Sequence, residues 1–332
     1  MRTLVANLPR LSDTNLTATM KNSLACILMT FLAVPALAPT ARADYSVLAN
    51  QNRKLCRFDA AGKLEWSMEI GGSPHDLHQL ANGNILTHQK TELIEIDPES
   101  KEIVWRFNAK KLCKAKRVEV HALQPIPNDQ IMVAVSGEGK IFEIDREGNV
   151  HHEITMKINN PHPHRDTRLV RRLADGQYLV AHEGDGMVRQ YDRDGTVTWE
   201  YDVPMFNREP KGGHGPEAFG DAVFSAVRLP NGNTLVGTGN GHSILEVTPE
   251  KEIVWKVDQN DLNGITLAWV TTLEVHANGN IIIGNCHAGS DHPQLVEIDR
   301  EKNVVWSFKD FEHLGDAVSN SQILNAKGAV IR

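Results

Sequence analysis

The feature that most constrains this chain is a unit that recurs from residue 46 to residue 332. An apolar stretch runs into Asn-Gly-Asn or a variant of it. An alternating strand follows, then a second strand ending in Asp, a turn, and a strand ending in Trp. Residues 75–105 read HDLHQLANGNILTHQKTELIEIDPESKEIVW, and residues 168–199 read RLVRRLADGQYLVAHEGDGMVRQYDRDGTVTW. Residues 224–255 and 271–306 follow the same plan, as does a weaker copy at 121–152. The residues in the Trp place are Trp66, Trp105, His152, Trp199, Trp255 and Trp306. The copy at 46–66 lacks its opening strand, and residues 319–332 supply an opening strand with nothing after it.

Each unit alternates apolar and polar residues with period two, is rich in Val, Ile and Leu, and turns at Asn-Gly, Asp-Gly or Glu-Gly. That pattern predicts about four short antiparallel strands per unit. A sheet of this size has two faces to bury and must stack on its neighbours, and repeats of this length that do so build a β-propeller. The expected fold is therefore all-β: a single propeller of six blades, with seven as the alternative. The C-terminal strand joins the N-terminal blade, which removes an open edge.

The domain boundaries follow from the same reading. Residues 44–332 form the propeller, although a length of 332 residues alone suggests about two domains. Residues 1–43 are read as an N-terminal extension and a cleavable signal peptide. The apolar run at 24–38 follows Lys21, contains Pro35 and ends at Ala41-Arg42-Ala43. It falls short of the roughly 20 apolar residues of a membrane span. Translation from Met20 would give the simpler signal. The expected location is the periplasm or the medium, free of the membrane after cleavage. The three cysteines beyond the signal, Cys56, Cys113 and Cys286, allow at most one disulfide.

Net charge is −7, with no basic stripe to neutralise phosphates, so nucleic acid is not an expected partner. The expected partner is a small anionic molecule or another protein. Nothing in the chain signals oligomerisation, so a monomer is expected.

The D-x-x-G-x-x-x-W signature at Asp59 to Trp66 and at Asp192 to Trp199 resembles the PQQ-like, quinoprotein-type propeller repeats. The L-x-N-G-N strands, with histidines near strand starts, are also similar to bacterial six-bladed arylsulfotransferase-like proteins. The resemblance spans nearly all of residues 44–332. It implies the fold and leaves the activity open, because one architecture hosts many functions. Quinoprotein dehydrogenases usually have eight blades, a vicinal cysteine pair and acidic calcium ligands. This chain has no Cys-Cys pair and is too short for eight blades. Bound PQQ is therefore not expected, and no cofactor is assigned. A metal held by histidines is the alternative, on the i, i+2 spacing of His162 and His164.

In a propeller the innermost strands line the channel, so equivalent positions form a ring. The residue seven before the Asn or Asp of each turn is His75, His121, Arg168, Phe224 and Thr271, with Ser319 or Asn320 in the closing strand. Two His and one Arg at one level suit an anion such as a sulfate, phosphate or carboxylate. His121, His164 and Arg168 are the catalytic candidates. His75, His162, His182, His242, Trp269 and His287 are the ligand-binding candidates. The segment 203–220, with His214, is long and rich in Gly and Pro, and is expected to form a rim loop. The repeat Trp residues are expected to pack between blades, and the repeat Asp residues to hydrogen-bond within their turns.

Overall fold

Each repeat folds into one four-stranded antiparallel sheet, and six such sheets stand in a ring. The computed structural model describes residues 45–332, so the expected signal segment lies outside the described residues. Blade two shows the plan, running outward from Leu77–Gln79 through Ile85–Gln89 and Glu92–Asp97 to Glu102–Asn108. Blade one is the split one. Val318–Ile323 pairs antiparallel with Val47–Gln51 in the register Ala49↔Ser321, and two further strands follow outward. The count is six, and the closing strand is where the repeat alignment placed it. Helix is confined to one α-helical turn at Phe311–Leu314 and two short 3-10 turns among the described residues. No described helix is long and apolar enough to cross a membrane.

The core is distributed over the seams between blades. Leu179, Ala181 and Val188 of blade four, for example, pack with Val236 and Leu245 of blade five. Burying a side chain of this size stabilises by about 1.5–3 kcal/mol, so the stacking of blades follows from their alternation. The repeat Trp residues tie the same seams. The indole Nε1 of Trp105 donates to Arg146 O, that of Trp199 to Pro249 O and that of Trp255 to Arg300 O, each at 2.9 Å and each into the following blade. His152, in the Trp place, stacks on Tyr178 of the next blade.

The D-x-x-G turn has a local explanation. Asp59 Oδ1 accepts from the backbone N–H of Ala61 and Lys63, and Asp192 Oδ1 from that of Asp194 and Thr196. Gly62 and Gly195 then take φ of 81° and 82°, a region that glycine enters without a steric cost. A second seam device was not read from the sequence. Glu95 pairs with Arg146, Glu143 with Arg193, and Glu246 with Arg300, always from one blade to the next. The recurring Asp-Arg at 145–146, 192–193 and 299–300 is the signal that would have revealed it.

Candidate functional site

The starts of the inner strands converge on a central cavity of about 420 Å³. His75, Arg168, Phe224, Thr271 and Ser319 of the predicted ring all line it. His121, buried just behind, packs edge-on against His75 with ring centroids 4.7 Å apart. The backbone helps to aim these side chains. The ladder shifts register at His121, at Thr271 and Thr272, and at Ser319. A bulge re-aims a side chain without ending the strand.

One wall is polar and charged. Arg168 is 5% exposed and Glu183 6%, and the Arg168 Nε forms an ion pair with Glu183. Its NH1 donates to His164 O at 2.9 Å and its NH2 to His164 Nε2 at 3.1 Å. Because a guanidinium only donates, His164 Nε2 must present its lone pair. The other nitrogen, Nδ1, then carries the proton and donates to Glu119 Oε2 at 2.6 Å. Glu119 thus orients His164, and Arg168 fixes its tautomer.

His121 is enclosed by partners. Burial, then Arg168, pushes its pKa down to about 3, so the ring is neutral. Thr167 O at 2.9 Å from Nδ1 and Glu119 Oε2 at 3.3 Å from Nε2 compete for its one proton, and Arg168, 3.2 Å from Nδ1 and 3.4 Å from Nε2, can donate to the bare nitrogen. His75 is held well below the usual histidine range by burial, then by His121 and Arg168, and its buried Nδ1 has no partner.

The rest of the lining is more aromatic and apolar. Phe224, whose ring lies under the Arg168 guanidinium, continues into Trp269 and Cys286, and His214 leans over Trp269 with centroids 4.9 Å apart. His214 comes from the 203–220 segment, which closes on itself through Lys211 and Phe219 and sends its tip to the cavity. His287 lies 5.1 Å from His214 between ring centroids.

Three predicted ligand-binding residues are not brought here. His182 is enclosed, with Nδ1 on Asp166 O at 2.7 Å and Nε2 on Tyr191 OH at 2.9 Å. His242 is enclosed between Ala268 O and Ala218 O. Both rings serve the fold. His162 does not line the cavity: residues 163–165 form a turn, so the strand-like sharing of a face with His164 does not occur, and His162 Nδ1 instead accepts from His164 N. Glu119, Glu183 and His214 were missed as site residues. Glu119 precedes His121 by two along the same strand, the one spacing that could have suggested it.

Glu119, His121 and His164 offer ligand atoms within 4.8 Å of one another, so they are the residues that could hold a metal ion. Arg168 opposes this. A metal on His164 Nδ1 would require a proton on Nε2, facing the Arg168 N–H at 3.1 Å. The three cysteines are all free, and burial raises the pKa of Cys286 beyond the range where it would act as a thiolate.

Further along the inner strands lies a buried polar floor. Arg171 binds Asp76 through both amino groups, and Arg332 reaches in beside Glu274. Burial lifts the Glu274 carboxyl to about 7.

The PQQ_2 family, described as outer membrane protein assembly factor BamB, matches residues 51–308. No curated protein matches the chain. Among solved structures, a protein of unknown function from Bacteroides caccae is 24% identical, with a TM-score of 0.70 over 84% of this chain and 98% of that one. Streptogramin B lyase is 11% identical, with a TM-score of 0.55 over 87% and 96% of the two chains. A catalytically inactive His-to-Ala variant of virginiamycin B lyase from Staphylococcus aureus, solved with quinupristin, is 10% identical. Its TM-score is 0.52 over 83% and 88%. At these identities the likeness concerns the fold.

Proposed function

Because the chain belongs to the PQQ_2 family of repeat propellers, we propose that it is an exported propeller that binds a small anionic molecule with a flat apolar body in its central cavity. The observation that carries this reading is the division of the cavity lining around the ring. His75, His164 and Arg168 come from the arc of blades two to four, and Phe224 and Trp269 from blades five and six, with the Arg168 guanidinium over the Phe224 ring at 5.8 Å where the two arcs meet. The anionic group accepts from Arg168 and His75, His164 holding the guanidinium in place through its Nε2 and backbone oxygen, and the flat body covers Trp269. A cavity of this volume, with polar groups converging beside an aromatic surface, suits a small ligand. A virginiamycin B lyase propeller solved with quinupristin is a fold-level analogy for a ligand held on such a ring. Export rests on the signal-like segment at 24–43 and on the family's description as an outer-membrane assembly factor.

Isothermal titration with 3-phenylpropionate tests the binding reading. We expect saturable binding that weakens roughly tenfold in His164→Ala and in Trp269→Ala, each losing about 1.4 kcal/mol. No binding, or binding indifferent to both changes, overturns it.

The Glu119–His164 pair favours a second reading, an arylsulfotransferase-like group-transfer enzyme. A carboxylate that orients an imidazole is the arrangement of a base or nucleophile, its far nitrogen becoming available once the Arg168 N–H that it accepts turns to the transferred group. Arg168 would then stabilise charge on the transferred group. With 4-nitrophenyl sulfate and a phenol acceptor, turnover should fall at least 100-fold in His164→Ala and about tenfold in Glu119→Gln. Absence of turnover in the unmodified protein sinks this reading and leaves the first in place.

A further inference from the structure

Ser73, His75 and His164 have open space on two sides. One side is the central cavity. The other is a cleft of about 520 Å³ between blades two and three, lined also by Lys90, Arg117, Glu119 and His121. The histidine wall is thus a partition, with a compartment on each face of it.

The cleft differs in character from the cavity. It has no aromatic side chain other than histidines, the shared His75 and His164 and, in addition, His121. Its mouth carries two exposed cations: Lys90, at the turn before Glu92–Asp97, and Arg117, just ahead of the inner strand Glu119–Ile126. Lys90 has no acidic partner among the described residues. Arg117 meets Glu119 Oε1 at 3.3 Å, but the other oxygen of that carboxylate is taken by His164 and His121. Two cations thus stand at the mouth against part of one carboxylate, which Arg117 alone contacts, a local positive surplus on a chain whose net charge is −7. Long, solvated cations at a cleft mouth attract an anion and give way to its shape.

Building on the central-cavity reading, we propose that the cleft is a second anion subsite and that the ligand carries two anionic groups at one end of its flat body. The body lies against Trp269. The first anionic group meets His75 and Arg168, and the second lies on the cleft side of His75 and His164, toward Lys90 and Arg117. The chemical class is an aryl-bearing diacid, with two carboxylates or equivalent oxyanions a few atoms apart.

A matched pair of probes tests this. Benzylsuccinate has the phenyl body of 3-phenylpropionate with a second carboxylate at the same end. The unmodified protein should bind benzylsuccinate roughly tenfold more tightly. In the Lys90→Gln/Arg117→Gln double variant that preference should collapse to about one, with the thermal midpoint unmoved. If 3-phenylpropionate binds but the second carboxylate adds nothing, or its gain survives the double substitution, the second subsite is wrong and the central reading stands. If neither probe binds, the central reading fails and the subsite with it.

Discussion

Asp76→Asn should lower the free energy of unfolding by about 3–5 kcal/mol, the usual cost of removing one partner of a buried ion pair. Asp76 is fully buried, and Arg171 approaches it at 2.7 and 3.0 Å. Asn320 Nδ2 donates to it at 3.0 Å, Leu123 N at 3.2 Å, and His78 Nε2 lies at 3.4 Å. These partners come from blades one to four, so a single carboxylate fastens four of the six sheets at the channel floor. Asparagine keeps the shape and leaves the Arg171 charge without a counterion. Burial alone would raise the Asp76 pKa. Arg171, and then His78, outweigh it and hold the carboxyl below its usual range. The sign is that of a depressed acid: the contribution is complete above the unfolded value, near 3.9, and is lost as pH falls through the folded one. Urea unfolding at pH 7 measures the loss. A change below about 1 kcal/mol would show that the floor does not fasten the ring.

Arg168→Met should abolish binding of 3-phenylpropionate, by 100-fold or more, and also destabilise the fold by about 3–5 kcal/mol. The two losses have separate causes. Stability falls because Glu183, nearly as buried as Arg168, is left with an uncompensated charge. Binding falls because the ligand loses a cation and His164 loses the donor that fixes its tautomer. The double variant Arg168→Met/Glu183→Gln separates them. It should recover most of the stability, since neither group is then charged, and none of the binding. Recovery of binding in the double variant would mean that Arg168 only supports the fold.

The repeat made the architecture legible because it reports the same physical demand six times. Alternation, Asn-Gly turns and a terminal Trp recur at fixed places, and the unmatched strands at the two ends reveal the closure. The ring column was legible for the same reason, since equivalent positions share a level. What the sequence hid depends on long-range contacts. His182 and His242 look like His75 in the sequence, yet their rings are enclosed by carbonyls and Tyr191 brought in from elsewhere in the chain. The His162-Pro163-His164 spacing suggested a strand, but the backbone bonds of Arg165 and Asp166 to His162 O make a turn of it. Glu183 sits 15 residues from Arg168 and becomes its partner only through the hairpin that returns it.

The closing strand also sets the order in which the protein can come into being. Ser46 N donates to Asn325 Oδ1 across 279 positions of sequence, and Asn50 Nδ2 donates to Ser319 Oγ at 2.6 Å. Every earlier segment of the chain can form blades with local contacts, but blade one waits for the last strand to arrive. Joining ends so far apart is a slow step for a β-rich chain. The cavity has no complete wall until that step is done. A bound ligand would therefore recognise finished molecules alone and stabilise the closed ring over any opened one.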